Sequence, residues 1–278
     1  EEGQILGDED AERFGMLSLV EGAGFPHNPV VRKYHLKLEP PSLESPLAGH
    51  ERLYQAIHAS EPEANLQTGF AVLRDFNRIL AETGYEVTAT IGRRGATTEV
   101  VQVEPGDTSM NNLGLAIDIG TTTLVVQLVD LPGARIVDSE AKYNSQMKHG
   151  EDYIRRIMYA EEHGALGEMQ RMIVGDLNEL IEILVRRNSI RLSDITCAVV
   201  AGNTAMIHFF IGLDPTGIRK EPYVPVANSI PPLRAAQVGL RINPRGILYT
   251  LPSVAAYVGA DITAGAVAIR LDEQHELC

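Results

Sequence analysis

Residues 113–131 read Leu113-Gly114-Leu115-Ala116-Ile117-Asp118-Ile119-Gly120-Thr121-Thr122-Thr123-Leu124-Val125-Val126-Gln127-Leu128-Val129-Asp130-Leu131, and this stretch decides the fold. Two runs rich in β-branched and aliphatic residues are separated only by Gly120-Thr121-Thr122, which leaves room for a reversal and little else. After Pro132-Gly133 comes Arg135–Lys142, a third such run. Short turns make antiparallel neighbours, so the sequence predicts a meander of Leu113–Ile119, Thr123–Leu131 and Arg135–Lys142. The first turn also carries chemistry. A carboxylate at the end of a buried strand, Asp118, can hold hydrated Mg²⁺. Gly120 lets the backbone turn close to an anion, and the N–H and hydroxyl groups of Thr121, Thr122 and Thr123 can donate to phosphate oxygens. A plain hairpin turn with β-favouring threonines would read the same way, so the turn alone leaves both readings open.

Working downstream, helices are predicted over Glu151–Glu162 and from Gly167 to Arg187, the second with Met169, Met172, Ile173, Leu177, Leu180, Ile181 and Leu184 on one face. The nearly continuous apolar run Ile195–Ala201 has the signature of a strand buried on both faces. Asn203 stands at an N-cap position before a short helix, Thr204–Gly212. Asp214–Pro252 holds seven of the fifteen prolines and reads as an extended, loop-rich excursion. A short strand, Ile247–Leu251, leads into Val254–Leu271, a helix so rich in Ala and Gly that it is expected to lie buried between layers. Asp261 on that helix has two readings of equal weight, one near a phosphate and one structural and hydrogen-bonded. His208, beside Phe209 and Phe210, reads as a packed helix residue rather than a metal ligand.

Working upstream, Val31–Leu38 alternates as a strand, with Tyr34, Leu36 and Leu38 on one face. A helical pattern follows: Leu53 and Ile57, then after Pro62 the series Leu66, Phe70, Leu73, Asn77 and Leu80, stopped by Gly84. Tyr85–Ile91 and Thr98–Val103 read as a hairpin turning at Gly92-Arg93-Arg94-Gly95, with the paired arginines solvated at its tip. Glu1–Glu12, with six acids and no base, reads as an acidic leader or linker.

Composition narrows the function. The 278 residues carry 24 Lys and Arg against 37 Asp and Glu, a formal charge of −13. Residues 1–112 account for −9 of it, so the front of the chain is the acidic part. A nucleic-acid backbone is a poor partner for such a surface. No apolar stretch approaches the ~20 residues of a membrane span. Cys197 and Cys278 are the two cysteines, too few for a zinc site, a four-cysteine cluster or a disulfide framework. A reduced, cytoplasmic chain is expected, with Cys197 as a small core hydrophobe.

The turn Asp118-Ile119-Gly120-Thr121-Thr122-Thr123 between the first two strands of a meander resembles the first phosphate loop of the ASKHA superfamily of sugar kinases, heat-shock chaperones, actin and acetate kinase. Ala198-Val199-Val200-Ala201-Gly202-Asn203-Thr204 and Leu251-Pro252-Ser253-Val254-Ala255-Ala256-Tyr257-Val258-Gly259-Ala260-Asp261 follow in the order that superfamily uses. Together with Val31-Arg32-Lys33-Tyr34-His35-Leu36, Pro40-Pro41-Ser42-Leu43-Glu44 and Pro222–Val226, these strings resemble the ATP-dependent reductive activators of corrinoid proteins.

The resemblance implies an α/β chain with an acidic linker over 1–29, a small α+β middle domain over 30–107, and over 108–278 the first half of an ASKHA, ribonuclease H-type domain with a mixed sheet. It implies ATP and Mg²⁺ as ligands, with Asp118 as the catalytic residue holding Mg²⁺ through water, and Gly120, Thr121, Thr122, Thr123, Gly202, Asn203, Thr204 and Asp261 around the nucleotide. It implies a corrinoid protein as partner, returned from Co(II) to Co(I), a homodimeric state, and a [2Fe–2S] cluster in a domain this chain does not carry. On that basis the chain is expected to be a piece of a longer enzyme and inactive by itself. The alternatives are a small-molecule kinase of the same superfamily, for which no base is evident between Lys142 and Arg191, and a non-catalytic docking module.

Overall fold

The computed structural model describes residues 26–271. The acidic run Glu1–Glu12 and Cys278 lie outside them. Two sheets organise the described chain. The smaller contains β1 (Val31–Lys37), β2 (Leu66–Thr68), β3 (Glu86–Arg94) and β4 (Thr97–Pro105) in the order β1-β3-β4-β2. Helices α1 (Gly49–His58) and α2 (Phe70–Thr83) cover it, with Leu53, Ile57, Phe76 and Leu80 packed on Leu36, Val87, Ala89 and Val100. Gly84 closes α2 at φ +59, a left-handed conformation that favours glycine.

Two local expectations are corrected in this unit. Leu66 belongs to β2, which pairs parallel with β4, so the helix begins only at Phe70. The stripe facing the sheet is therefore Val72, Phe76, Ile79 and Leu80, while Phe70 is 76% exposed. The hairpin turn is also tighter than predicted: β3 runs through Arg94, and only Gly95-Ala96 separates the strands, with Gly95 at φ +66. Gly92 lies within the strand, at a point where an added Cβ would come 2.7 Å from Ile247 and 2.8 Å from Val31.

The larger sheet has β5 (Leu113–Ile119), β6 (Thr123–Asp130), β7 (Arg135–Tyr143), β8 (Ile195–Gly202), β9 (Leu233–Arg234) and β10 (Ile247–Thr250), ordered β7-β6-β5-β8-β10-β9. The meander β5-β6-β7 is antiparallel, whereas β8 pairs parallel with β5, and β10 parallel with β8. This is a mixed α/β sheet with the strand order of the ribonuclease H type. The crossover from β7 to β8 runs through a 3₁₀ turn, Ser145–His149, then α3 (Tyr153–His163) and α4 (Leu166–Arg187). Met169, Ile173, Leu177, Leu180, Ile181 and Leu184 of α4 are fully buried, as their spacing predicts. They share one core with α5 (Thr204–Ile211), whose Phe209 and Phe210 are also fully buried. Truncating a buried aromatic of this kind costs about 3–5 kcal/mol. Two four-residue helices, α6 (Thr216–Arg219) and α7 (Ala235–Val238), punctuate the proline-rich excursion, and α8 (Ala260–Ala268) closes the described chain.

Helix α8 departs from expectation. It is half the predicted length, and only Ala260 is buried, with Ile262 58% and Val267 61% exposed. Small residues permit close approach, but in this chain it happens only at the helix start, where Gly259 meets α5.

The two sheets are welded together. Val31, Val101, Cys197 and Ile247 form a small apolar cluster between them. Beside it the Glu99 carboxylate, 1% exposed, accepts from Arg94 at 2.9 Å, Arg245 at 3.1 Å and Arg234. Arg245 also donates to the carbonyls of Val100 and Val101, and Asn243 donates to Gln102 at 2.6 Å. Burial alone would raise the Glu99 carboxyl, but Arg234 and Arg94 outweigh it and hold it below the usual carboxylate range. Arg94 is thus a junction residue, not a solvated tip. Cys197 is a core hydrophobe as expected, its thiol pushed up to about 12 by burial.

Candidate functional site

The carboxyl ends of the parallel strands β5, β8 and β10 open on the same edge of the sheet, the edge where α/β folds bind ligands. Asp118 is the penultimate residue of β5. Its side chain is exposed, yet desolvation by the surrounding protein pushes its carboxyl up, with a further push from the Asp261 carboxylate. Asp261 occupies the first turn of α8, where a negative charge suits the helix dipole, and one oxygen accepts from the Ile262 N–H at 2.9 Å. Among the described residues neither carboxylate has a Lys, Arg or His partner.

Backbone packing brings these parts together. A Cβ on Gly259 would lie 2.4 Å from Cα of Asn203 and 2.8 Å from N of Thr204, and one on Gly202 would lie 2.8 Å from the Ile119 carbonyl. Glycine at both positions lets the starts of α5 and α8 meet the end of β5. Asn203 caps α5 by accepting from the Met206 N–H at 2.9 Å, and the Thr204 hydroxyl donates to the Ala255 carbonyl at 2.7 Å. Of the predicted site residues, Gly202, Asn203 and Thr204 therefore build the corner, with the Thr204 hydroxyl and the Asn203 carbonyl oxygen already engaged in it.

The Gly120–Thr123 turn is closed by the Gly120 N–H donating to the Thr123 carbonyl at 3.0 Å, and a Cβ on Gly120 would lie 2.5 Å from that oxygen. The other three carbonyls are tied down from behind. That of Gly120 accepts from Asn144 Nδ2 at 3.0 Å, that of Thr121 from Arg156 Nη2 at 2.6 Å, and that of Thr122 from the Asn144 N–H at 2.8 Å. Among the described residues the N–H groups of Thr121 and Thr122 and all three threonine hydroxyls have no protein partner. Asn144 and Arg156 carried no motif in the sequence. The only hint was position, since Asn144 directly follows the third strand of the meander and Arg156 lies in the first α-helix after it.

Oxygen donors at Asp118 and Asp261 suit a hard divalent cation such as Mg²⁺, which keeps most of its waters and needs few protein ligands. No group of three or more metal-ligating side chains occurs among the described residues. His208 is packed as expected: it is buried, its Nδ1 pairs with the Thr204 carbonyl at 2.7 Å, and burial holds the ring below its ordinary value. A separate concavity of about 260 Å³ lies at the sheet junction, lined by Arg32, Glu61, Arg93 and Tyr249. Arg32 and Glu61 already pair there at 2.8 Å. No helix among the described residues is long and apolar enough to cross a membrane.

RamQ, a corrinoid activation enzyme of Eubacterium limosum, is 27% identical over 278 residues, 99% of this chain and 45% of its own length. A solved structure described as a reductive activator for corrinoid, iron–sulfur protein superposes with a TM-score of 0.86 at 34% identity, covering all of this chain and 44% of that one. The chain thus spans less than half the length of either relative. The family model described as the RACo linker region matches residues 21–110, and the one described as the RACo middle region matches residues 113–274. The chain therefore belongs to the RACo family, of which it carries the linker and middle regions.

Proposed function

We propose that this chain contributes one wall of an ATP site in a reductive activator of corrinoid proteins. The observation that carries the reading is the pairing of opposites at one sheet edge: two carboxylates without a cation, beside a turn whose outward N–H and hydroxyl groups lack an acceptor. Mg·ATP supplies both missing partners. Asp118 and Asp261 would hold Mg²⁺ through its waters, while Thr121, Thr122 and Thr123 donate to phosphoryl oxygens. Bound Mg²⁺ neutralises charge on the phosphates and favours their transfer to water. Asp118 is the catalytic residue in this reading. Gly120, Gly202, Asn203, Thr204 and Gly259 set the corner.

The supported activity is a one-electron reduction of corrinoid Co(II) to Co(I), with the electron from a low-potential reductant and the free energy from ATP hydrolysis. Nucleotide would favour one arrangement of activator and corrinoid protein, and that difference in binding is the coupling. Cys197, buried in the junction, is the one cysteine among the described residues, so they do not offer the thiolates of an iron–sulfur cluster. The test has two arms. Amide resonances of Thr121–Thr123 in this chain should shift on titration with Mg·ATP to millimolar concentration. In a protein carrying this site together with the remaining length of its relatives, Mg·ATP hydrolysis should accompany loss of the Co(II) electron paramagnetic signal of a corrinoid protein given titanium(III) citrate. Asp118→Ala should abolish hydrolysis, and retained turnover removes Asp118 from the site. A sugar-dependent ATPase in place of corrinoid reduction would favour a kinase.

A further inference from the structure

Arg156 is the largest fully buried side chain in the described chain, and it has no carboxylate partner. Its Nε donates to the Gly150 carbonyl at 2.9 Å, Nη2 to the Thr121 carbonyl at 2.6 Å, and Nη1 approaches Met206 Sδ at 3.6 Å. All three acceptors are neutral. Burial lowers the guanidinium to about 10, with weak opposition from Asp152, so it remains charged at neutral pH. A buried cation that meets only carbonyls and a thioether is an expensive way to fasten a helix. The fastening point explains it. A trans peptide is planar, with C=O and N–H on opposite sides, so a Thr121 carbonyl drawn inward to Arg156 turns the Thr122 N–H outward. A charge-assisted bond to that carbonyl also polarises the same peptide, strengthening its N–H as a donor.

We propose that Arg156 is a positioning residue for anion binding: from inside the protein it orients and polarises the Thr121–Thr122 peptide so that the Thr122 N–H faces a phosphoryl oxygen. Asn144 fixes the two flanking peptides in the same sense, through its side chain on Gly120 and its own N–H on Thr122. The inference rests on reading Gly120–Thr123 as the phosphate-binding turn, and it assigns the source of that turn's geometry. The buried charge stays in place whether or not a ligand is present, so the turn is set before the anion arrives.

The test uses the 278-residue chain, ¹⁵N-labelled, with Arg156→Gln and Arg156→Lys. In the ligand-free chain the Thr121 and Thr122 amides should have order parameters near 0.85, falling below about 0.6 in Arg156→Gln, while Leu177 in the core keeps its value. Affinity for Mg·ATP, read from the same amides, should fall about tenfold in Arg156→Gln and recover partly in Arg156→Lys, which restores charge but cannot fork across both carbonyls. Two folded variants with wild-type order parameters and affinities within twofold of wild type would overturn the proposal. Should Arg156→Gln not fold, Arg156→Lys decides: a threefold loss of affinity with a looser turn supports the role, and an unchanged turn overturns it. If Mg·ATP shifts no amide even in the wild type, the phosphate reading fails, and the order parameters alone still judge Arg156.

Discussion

Glu99 and Asp118 are both acidic residues near the ends of the chain's sheets, yet they live in opposite surroundings. Glu99 is almost fully buried and meets three guanidinium groups, which hold its carboxyl low. Asp118 reaches solvent, meets another carboxylate and is held high. The first arrangement is complete within the chain and joins two sheets. In the proposed reading, the second, together with the unpaired cation at Arg156, would be completed by a ligand that brings a divalent metal to one side and phosphate to the other. Unbalanced charge in a folded protein costs stability, so finding it on both flanks of one turn points to the site more sharply than the turn sequence does.

The comparison can be broken most directly at Glu99. Glu99→Gln leaves Arg94, Arg234 and Arg245 facing a neutral amide, and a loss of about 3–5 kcal/mol is expected in urea denaturation. A loss below 1 kcal/mol would mean the junction does not depend on the charge. Asp118→Asn should behave oppositely, losing Mg·ATP binding while its thermal midpoint stays level or rises slightly. A clear fall in that midpoint would show Asp118 to be structural.

The pH dependence separates the same two residues by sign. The stability Glu99 contributes is fully present above the ordinary carboxylate range and is lost as pH falls through its lowered value. For Asp118 the raised value reverses this: the favourable term is present below the ordinary range and disappears as pH rises through the raised value. The advantage of Asp118→Asn over wild type should therefore grow from pH 4 to 7, as followed by paired thermal melts. The smallest expected effect is that of Mg²⁺ alone. It should raise the wild-type midpoint by a degree or two through preferential binding to the folded state, with no response in Asp118→Asn. An equal response in both would place the cation elsewhere.

The meander, the buried strand β8, the long helix α4 and the Asn203 cap were legible because period, turn residues and cap chemistry are local. The register of α2 was not. The expected series ran from Leu66 through Phe70, Leu73, Asn77 and Leu80, and pairing of Leu66–Thr68 with β4, a contact outside the helix, removed its first member. Helix α8 misled for a related reason, since Ala and Gly report what could come close and not what does. At the candidate site, Asp118 and the three threonines are singled out by the chemistry of one turn, and Asp261 by a second motif. Asn144 and Arg156 could not, because an arginine that serves a turn 35 positions away looks in sequence like any polar residue on a helix.

Strand β10 has four residues, at roughly 3.3 Å each about 13 Å from end to end. At one end Ile247 is seated in the apolar cluster between the sheets, and Tyr249 donates its hydroxyl to the Arg93 carbonyl of the small sheet. At the other, the chain passes Pro252 and reaches Asp261 within eleven residues of Thr250. The whole strand lies on one parallel ladder with β8, so four residues set the distance between the seam of the two sheets and the start of the segment that leads to α8.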